Sequence, residues 1–370
     1  MPRVTDLGIS IGSLPSGPTN SVLDVAGVGV GHATVWRDEA DPPAGRGLAR
    51  TGVTVVRLRE DPFHEMLPAG GAVLNGAGEC TGFITAGEWG TLETPVFLTS
   101  TLQLGRVYDA ACELMLERWP DVAEDFVIPV VGECDDSYLN DARRMQVTRA
   151  DVQAAWAAAD SAVGSSTPPA EGAVGSGTGM SCLGFKGGIG SASRVTADGH
   201  TVGVLLMTNF GTRDQLTVAG VPVGRLLGED GGDESHGDRQ TDRRPPAGSC
   251  IGLVVTDAAV DGAGCARLAR RIGLGLARTG SVANHGSGEI FMATSTGVRV
   301  RRDDRTWTTP VLTGRGFDPL FAAVVEASEE AVLNSIFGSP TVVGRSGNTS
   351  TGIPVDDVLR LLRERHRVDA

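Results

Sequence analysis

Apolar positions along the chain recur with two periods. Runs of aliphatic and β-branched residues bounded by glycine, proline or aspartate predict strands at residues 52–58, 95–99, 126–131, 201–207, 251–256 and 289–294. A spacing of three to four residues, with Val107, Ala111 and Met115 on one face, predicts a helix over residues 106–119. Alanines with Met145, Val152 and Trp156 repeat that spacing over residues 141–160. Three more helices are predicted at residues 263–279, closed by Gly280, at 318–334, opened by Asp318-Pro319, and at 355–367, after Pro354. Strands and helices interleave over the whole length without an internal repeat, so the chain mixes both classes in one fold.

Two stretches break this pattern. Residues 164–179 are small, polar and turn-rich, and predict a surface loop leading into something tight. Residues 229–248 hold almost no apolar side chain, so they predict an exposed, mobile linker rather than a core element. A strongly apolar strand begins at once after it, with Ser249.

Composition sharpens the picture. With 370 residues and 41% apolar content the chain can fill a sizeable core, which excludes general disorder. Its 52 glycines follow no Gly-X-Y period and point to tight turns and close backbone approach. Aromatics are only 5%, so small and β-branched residues must do the packing, as suits sheets layered against helices. A net charge of -13 argues against a general nucleic-acid partner or an anionic membrane surface. The first residues lack a basic stretch followed by an apolar run, and no later run reaches the roughly 18 residues of a membrane span, so a cytoplasmic location is expected. Six cysteines without a CxxC pair fit neither a zinc knuckle nor a small disulfide scaffold, but fit reduced thiols. Lys186 is the only lysine among 32 basic residues, a bias that genome composition explains.

Most motifs carry no chemistry. The GxSxG match at Gly8 to Gly12 has only seven residues before it, too few for the strand that a nucleophile elbow needs. The glycine cluster from Gly175 to Gly190 contains neither a Gly-Lys pair nor GxGxxG, so it predicts no phosphate cradle. His64-Glu65 lacks a second histidine, and the other histidines never pair at ligand spacing, so no metal site is predicted. The acidic residues from 230 to 238 lack the ordered positions of a calcium loop and read as solvated linker. Asn348-Thr349-Ser350 is a glycosylation sequon without a secretion signal to give it meaning.

The junction at Gly248-Ser249 remains. A serine between an exposed linker and a buried strand is placed to attack the preceding carbonyl, and glycine leaves that carbonyl unobstructed. Hydrolysis of the resulting ester would make Ser249 a chain terminus whose amine, with a reference pKa of about 7.7 to 8.0, could serve its own hydroxyl as base. The junction alone does not select this chemistry over an ordinary boundary between loop and strand.

Ten segments weigh on that choice. They run from Asp6-Leu7-Gly8 and residues 23–32 through residues 90–95, 138–141, 177–180 and 184–190 to Asn209-Phe210-Gly211, Gly248-Ser249, residues 256–258 and residues 285–291. In this order they resemble the L-aminopeptidase/D-esterase family, which includes the β-peptidyl aminopeptidases and is a distant relative of ornithine acetyltransferase. The resemblance spans nearly the whole chain. It implies an α+β fold, a four-layer α-β-β-α sandwich forming one domain over residues 1–370, self-cut into chains 1–248 and 249–370. It carries the nucleophile role to Ser249, a supporting hydrogen bond to Ser287, a carboxylate role to Glu289 and the oxyanion-hole amide to Asn209. On a strand, Ser287 and Glu289 share one face and can both reach the new amine. Glu133, expected just past the strand at residues 126–131, resembles the anchor for a substrate's amino group, and Tyr138 a pocket-lining tyrosine. Lys186 lies in a matching motif, where an ion pair that anchors a loop is expected before catalysis.

The same resemblance implies no cofactor, a small peptide or amide substrate, and a homo-oligomer, a tetramer of processed heterodimers. Taken without it, Asn209 reads as the cap of a strand end, Ser287 as part of a glycine turn and Glu133 as a loop residue. A cut one bond later would expose Cys250, out of register with the family. Acetyl transfer of the ornithine type is an alternative reaction, but those relatives use threonine where this chain has Ser249. A nylon-oligomer hydrolase is a variant of substrate, and an inactive binding protein is the reading from another class.

Overall fold

The computed structural model describes residues 2–230 and 248–365. Among them, nine strands have five or more residues: β1 (Gly29–Asp38), β2 (Leu48–Arg57), β3 (Glu65–Gly76), β4 (Val96–Ser100), β5 (Val130–Cys134), β6 (Gly188–Val195), β7 (Thr201–Asn209), β8 (Ser249–Thr256) and β9 (Gly288–Ser295). The helices are α1 (Phe83–Trp89), α2 (Leu104–Arg118), α3 (Arg149–Ser161), α4 (Val223–Asp230), α5 (Gly262–Arg278), α6 (Asp318–Phe337) and α7 (Val355–Arg363). One sheet has the order β1-β2-β4-β5, and the other runs β3-β9-β8-β7-β6, with β8 and β9 parallel.

Adjacent residues on the strands serve opposite layers, which is why these strands read as unbroken apolar runs rather than as alternating ones. Val55, Phe97 and Val131 pack against Ala155 and Trp156 of α3 and Leu114 of α2. Their neighbours Val56, Leu98 and Val130 point the other way, into a layer shared with Leu205, Met207, Ile251, Leu253, Ile290 and Met292 of the second sheet. On the far face of that sheet, Leu206, Val254 and Phe291 meet Leu268 and Ile272 of α5 and Val324 and Ala331 of α6. Three packed layers of side chains between four layers of backbone make the α-β-β-α sandwich.

Glycine sets how close the helices come. A Cβ on Gly31 would lie 2.2 Å from Ala155 O, and one on Gly190 would lie 1.9 Å from Ala331 O. Helices α3 and α6 therefore rest on bare backbone, an approach that no side chain would permit.

Several boundaries differ from the sequence reading. Strands β1, β3 and β6 carry so many glycines, alanines and serines that hydropathy does not mark them. Pro129 has no N–H for a ladder and the Ile128 N–H goes to Glu93 Oε1, so β5 starts at Val130 rather than at residue 126. The helix expected from residue 141 begins only at Arg149, where Thr148 and Asp151 form a capping box; upstream, Met145 has a left-handed φ of 46°. In the loop expected over residues 164–179, the turn Gly175–Gly177 is buried rather than superficial. Of the linker expected over residues 229–248, residues 231–247 lie outside the described residues, and residues 229 and 230 are the last two of α4. Among the described residues no helix is long and apolar enough to cross a membrane.

Candidate active site

Three neighbouring strands of the second sheet bring the candidate residues together at one end. Asn209, the last residue of β7, pairs with Ser249, the first of β8, and Ser249 pairs in parallel with Gly288, the first of β9. Side chains alternate along a strand. Ile251 and Leu253 fill the layer between the sheets, as do Leu205 and Met207, so Ser249 and Asn209 end the same face. Cys250 points into the opposite, helix-side core, where burial pushes its thiol well above the usual range. A buried, protonated thiol is a poor nucleophile.

The peptide bond in front of Ser249 is held from both sides. The Gly288 N–H donates to the Gly248 carbonyl at 3.1 Å, so that carbonyl is already polarised. A Cβ at position 248 would lie 2.9 Å from both Asn209 O and Phe210 Cα, which is the steric reason for glycine there. Sequence reading missed Gly288, because a backbone donor leaves no trace in residue type.

Asn209 is oriented at both ends of its amide. Ser181 N–H donates to Oδ1 at 2.9 Å, and Nδ2 donates to the Asp135 carbonyl at 2.8 Å. The carboxamide has a second N–H beyond that bond. Across the site, Ser287 Oγ donates to Glu289 Oε1, so the two side chains do share a face. Glu289 is fully buried, its Oε2 has no hydrogen-bond partner among the described residues, and burial pushes its carboxyl above the usual range. The segment carrying Ser287 is tied down by Asn75, whose Nδ2 donates to the carbonyls of Asn284 at 2.9 Å and Ser287 at 2.5 Å. Between Asn75 and Val73 the pairing with β9 slips by one residue, a bulge at Leu74 that re-aims the strand end beside the site. Asn75 was not foreseen either.

Glu133 lies inside β5, opposite Thr99, rather than past the end of a strand. Its carboxylate accepts the Glu79 N–H at 2.8 Å and the Thr101 hydroxyl, and burial pushes it above the usual range. A Cβ on Gly78 would lie 3.2 Å from Glu133 Oε1 and 3.6 Å from Gly288 Cα, so Gly78 touches both the carboxylate and the strand that flanks Ser249. Tyr138 is partly exposed three residues beyond Asp135, with its hydroxyl 3.5 Å from the Thr349 carbonyl. Lys186 corrects its expectation: it makes no ion pair among the described residues and spends its ammonium on backbone carbonyls. Ser10 of the GxSxG match is exposed with no strand before it. Among the described residues no group of three or more His, Cys, Asp or Glu side chains is placed to hold a metal ion. The site therefore offers a hydroxyl, a polarised carbonyl, an amide donor and two buried carboxyls, a set suited to acyl transfer.

Known proteins resemble this chain over nearly its whole length. The sequence pattern of peptidase family S58 matches residues 20–350. The β-peptidyl aminopeptidase BapA of Sphingosinicella xenopeptidilytica is 36% identical over 377 residues, covering 98% of this chain and 92% of its own. A solved β-aminopeptidase from Burkholderia sp. superposes with a TM-score of 0.86 at 38% identity, over 98% of this chain and 99% of its own. The L-aminopeptidase D-Ala-esterase/amidase of Ochrobactrum anthropi, described as a prototype of the serine aminopeptidases and a variant of the Ntn hydrolase fold, superposes with a TM-score of 0.88 at 32% identity over the full length of both.

Proposed function

Since the chain belongs to peptidase family S58 and is a hydrolase of the aminopeptidase type, we propose that it cuts itself before Ser249 and then uses that serine to remove N-terminal residues from short peptides, amides or esters. One observation carries the reading: Ser249 opens a buried strand between Asn209 and Gly288, while Gly288 holds the Gly248 carbonyl at 3.1 Å. In processing, Ser249 Oγ bonds to the Gly248 carbonyl carbon as the C–N bond breaks, and the hydroxyl proton passes to the freed nitrogen. Water then hydrolyses the ester, leaving a carboxylate on Gly248 and restoring the hydroxyl.

The mature site turns over by the same bonds. The Ser249 α-amine takes the hydroxyl proton as Oγ attacks the substrate carbonyl, and passes it to the departing amine. Asn209 and the Gly288 N–H donate to the oxyanion. Water releases the acid from the acyl-enzyme. Glu289, whose second oxygen has no hydrogen-bond partner among the described residues in the uncut chain, would stabilise the ammonium that forms as the Ser249 amine takes that proton, with Ser287 holding the other oxygen.

Denaturing electrophoresis tests the reading directly. Chains of 248 and 122 residues should run at about 26 and 13 kDa by scaling the 38.3 kDa mass with length. Sequencing of the smaller should begin Ser249-Cys250-Ile251. A fully active preparation with one undivided band would refute the reading.

Glu133 fits the substrate's ammonium in this scheme, because it is a buried carboxylate one glycine away from β9. Glu133→Gln should raise KM for substrates with a free amine by roughly 10- to 100-fold, the worth of a charge-assisted hydrogen bond. KM should also climb on the acid side of wild type, since a carboxyl raised by burial takes up its proton at a higher pH and then no longer attracts the amine. An unchanged KM for Glu133→Gln would remove this role.

A further inference from the structure

The only lysine in the chain occupies a place where arginine cannot substitute. Lys186 is completely buried, and its Nζ donates to three carbonyl oxygens, Gly177 at 2.9 Å, Met180 at 2.6 Å and Gly187 at 2.7 Å. Those oxygens converge on one atom. An ammonium meets them with three N–H groups on a single nitrogen, whereas a guanidinium spreads five donors over a plane on three nitrogens. The other 31 basic residues are arginines, so a composition that elsewhere admits only arginine yields here to the geometry of the acceptors.

What the lysine clamps leads straight to the nucleophile. Met180 precedes Ser181, and Ser181 N–H donates to Asn209 Oδ1 at 2.9 Å. The Gly187 N–H closes onto Met180 O at 3.2 Å, so the segment between the clamped carbonyls is a tight hairpin beside the end of β7. With Ser181 demanding an acceptor and the Asp135 carbonyl demanding a donor, the Asn209 amide has one orientation, N–H toward Asp135 and oxygen toward Ser181. Were the Ser181 N–H displaced, the amide could turn over and present oxygen where a donor is needed.

We propose that Lys186 is a positioning residue for Asn209: its ammonium gathers the carbonyls of Gly177, Met180 and Gly187, and so holds the Ser181 N–H that keeps the Asn209 amide turned to donate to the oxyanion at Ser249. The inference rests on the proposed role of Asn209, and the experiment separates the two. Rates are measured on an aminoacyl p-nitroanilide and normalised to the cleaved 249–370 chain, for wild type, Asn209→Ala, Lys186→Met and the double variant. Asn209→Ala should lower kcat about 10²- to 10³-fold, as expected for an oxyanion donor. If it does not, the role of Asn209 fails, whatever Lys186 does.

Given that loss, Lys186→Met should lower kcat by roughly 10- to 100-fold, the size expected of a supporting residue, with KM unchanged. It should cost nothing further in the Asn209→Ala background, because residues acting through one group are not additive. An unchanged kcat, or losses that multiply, would overturn the proposal. Should Lys186→Met fail to fold, the intact lysine supplies the second measurement. Labelling the ζ nitrogen of lysine with ¹⁵N gives a single side-chain resonance in this chain. That resonance should move in Asn209→Ala, since coupling between sites is reciprocal, and a resonance that stays put would equally overturn the proposal.

Discussion

Replacing Ser249 with alanine is expected to leave one chain of 38.3 kDa and to abolish hydrolysis. Both losses follow from one atom. Without Oγ nothing attacks the Gly248 carbonyl, so the polarised peptide bond persists and the α-amine that would serve as base stays locked in an amide. The catalytic loss therefore combines nucleophile and base, and should approach the roughly 10⁶-fold measured when a serine nucleophile is removed elsewhere. The fold itself should be indifferent, because Ser249 contributes a single hydroxyl at the end of a strand whose interior is Ile251, Leu253 and Val255. Electrophoresis, an anilide assay and a thermal melt together decide the matter. Two bands from Ser249→Ala would show that the scission, and with it the terminal amine, arises by some other route.

Glu289→Gln should divide activity from stability. In the proposed cut enzyme the variant would remove the charge that stabilises the ammonium formed as the Ser249 amine takes the hydroxyl proton, so kcat should drop about 10²- to 10⁴-fold, the span of general acid–base contributions. In the uncut chain the effect is reversed. There burial outweighs the hydrogen bond from Ser287, and the Glu289 carboxyl is raised above the ordinary range. A group whose pKa is higher in the folded state supports folding fully below its unfolded pKa, and that support is lost as pH rises through the folded value. Glutamine has the same shape and no charge. On a Ser249→Ala background, Glu289→Gln should therefore raise the melting temperature near pH 7 to 8, with the gain shrinking toward pH 4 and below. A melting temperature lowered at pH 8 would mean that Glu289 already has a cationic partner before cleavage.

These two outcomes put a functional cost inside the fold. Glu289 is a buried carboxyl that the uncut chain leaves half satisfied, and on the proposed reading a cut before Ser249 would complete it, in the manner of sites that trade local stability for chemistry. The close backbone contacts around it belong to the same arrangement, since a Cβ on Gly288 would lie 2.5 Å from Ala77 O.

Much of this was legible along the chain, for reasons that differ from element to element. Strands β7, β8 and β9 are long apolar runs, α5 has strong helical spacing and α6 is opened by Asp318-Pro319, so their positions could be read to within a few residues. Strands β1, β3 and β6 could not, because their glycines, alanines and serines give no hydropathic signal and become strands only where a neighbouring sheet or helix rests on them. Ser249 stood out because a polar linker meets an apolar strand there, a contrast visible in one dimension. Lys186 stood out by its uniqueness, yet the expected partner was wrong, since three carbonyls rather than a carboxylate receive it.

By itself, the sequence determined the mixture of strands and helices, and the junction at which a polar stretch meets the apolar strand opened by Ser249. These are properties of neighbouring residues, and local sterics and burial decide them. Only the tertiary structure decided that Asn209, Ser249 and Gly288 stand abreast, that Gly288 holds the Gly248 carbonyl, that Glu133 lies one glycine away and that Asn75 fastens the Ser287 segment. Each of those contacts joins residues far apart in the chain through strand pairing or a close backbone approach, and no order of residue types records which strand will lie beside which.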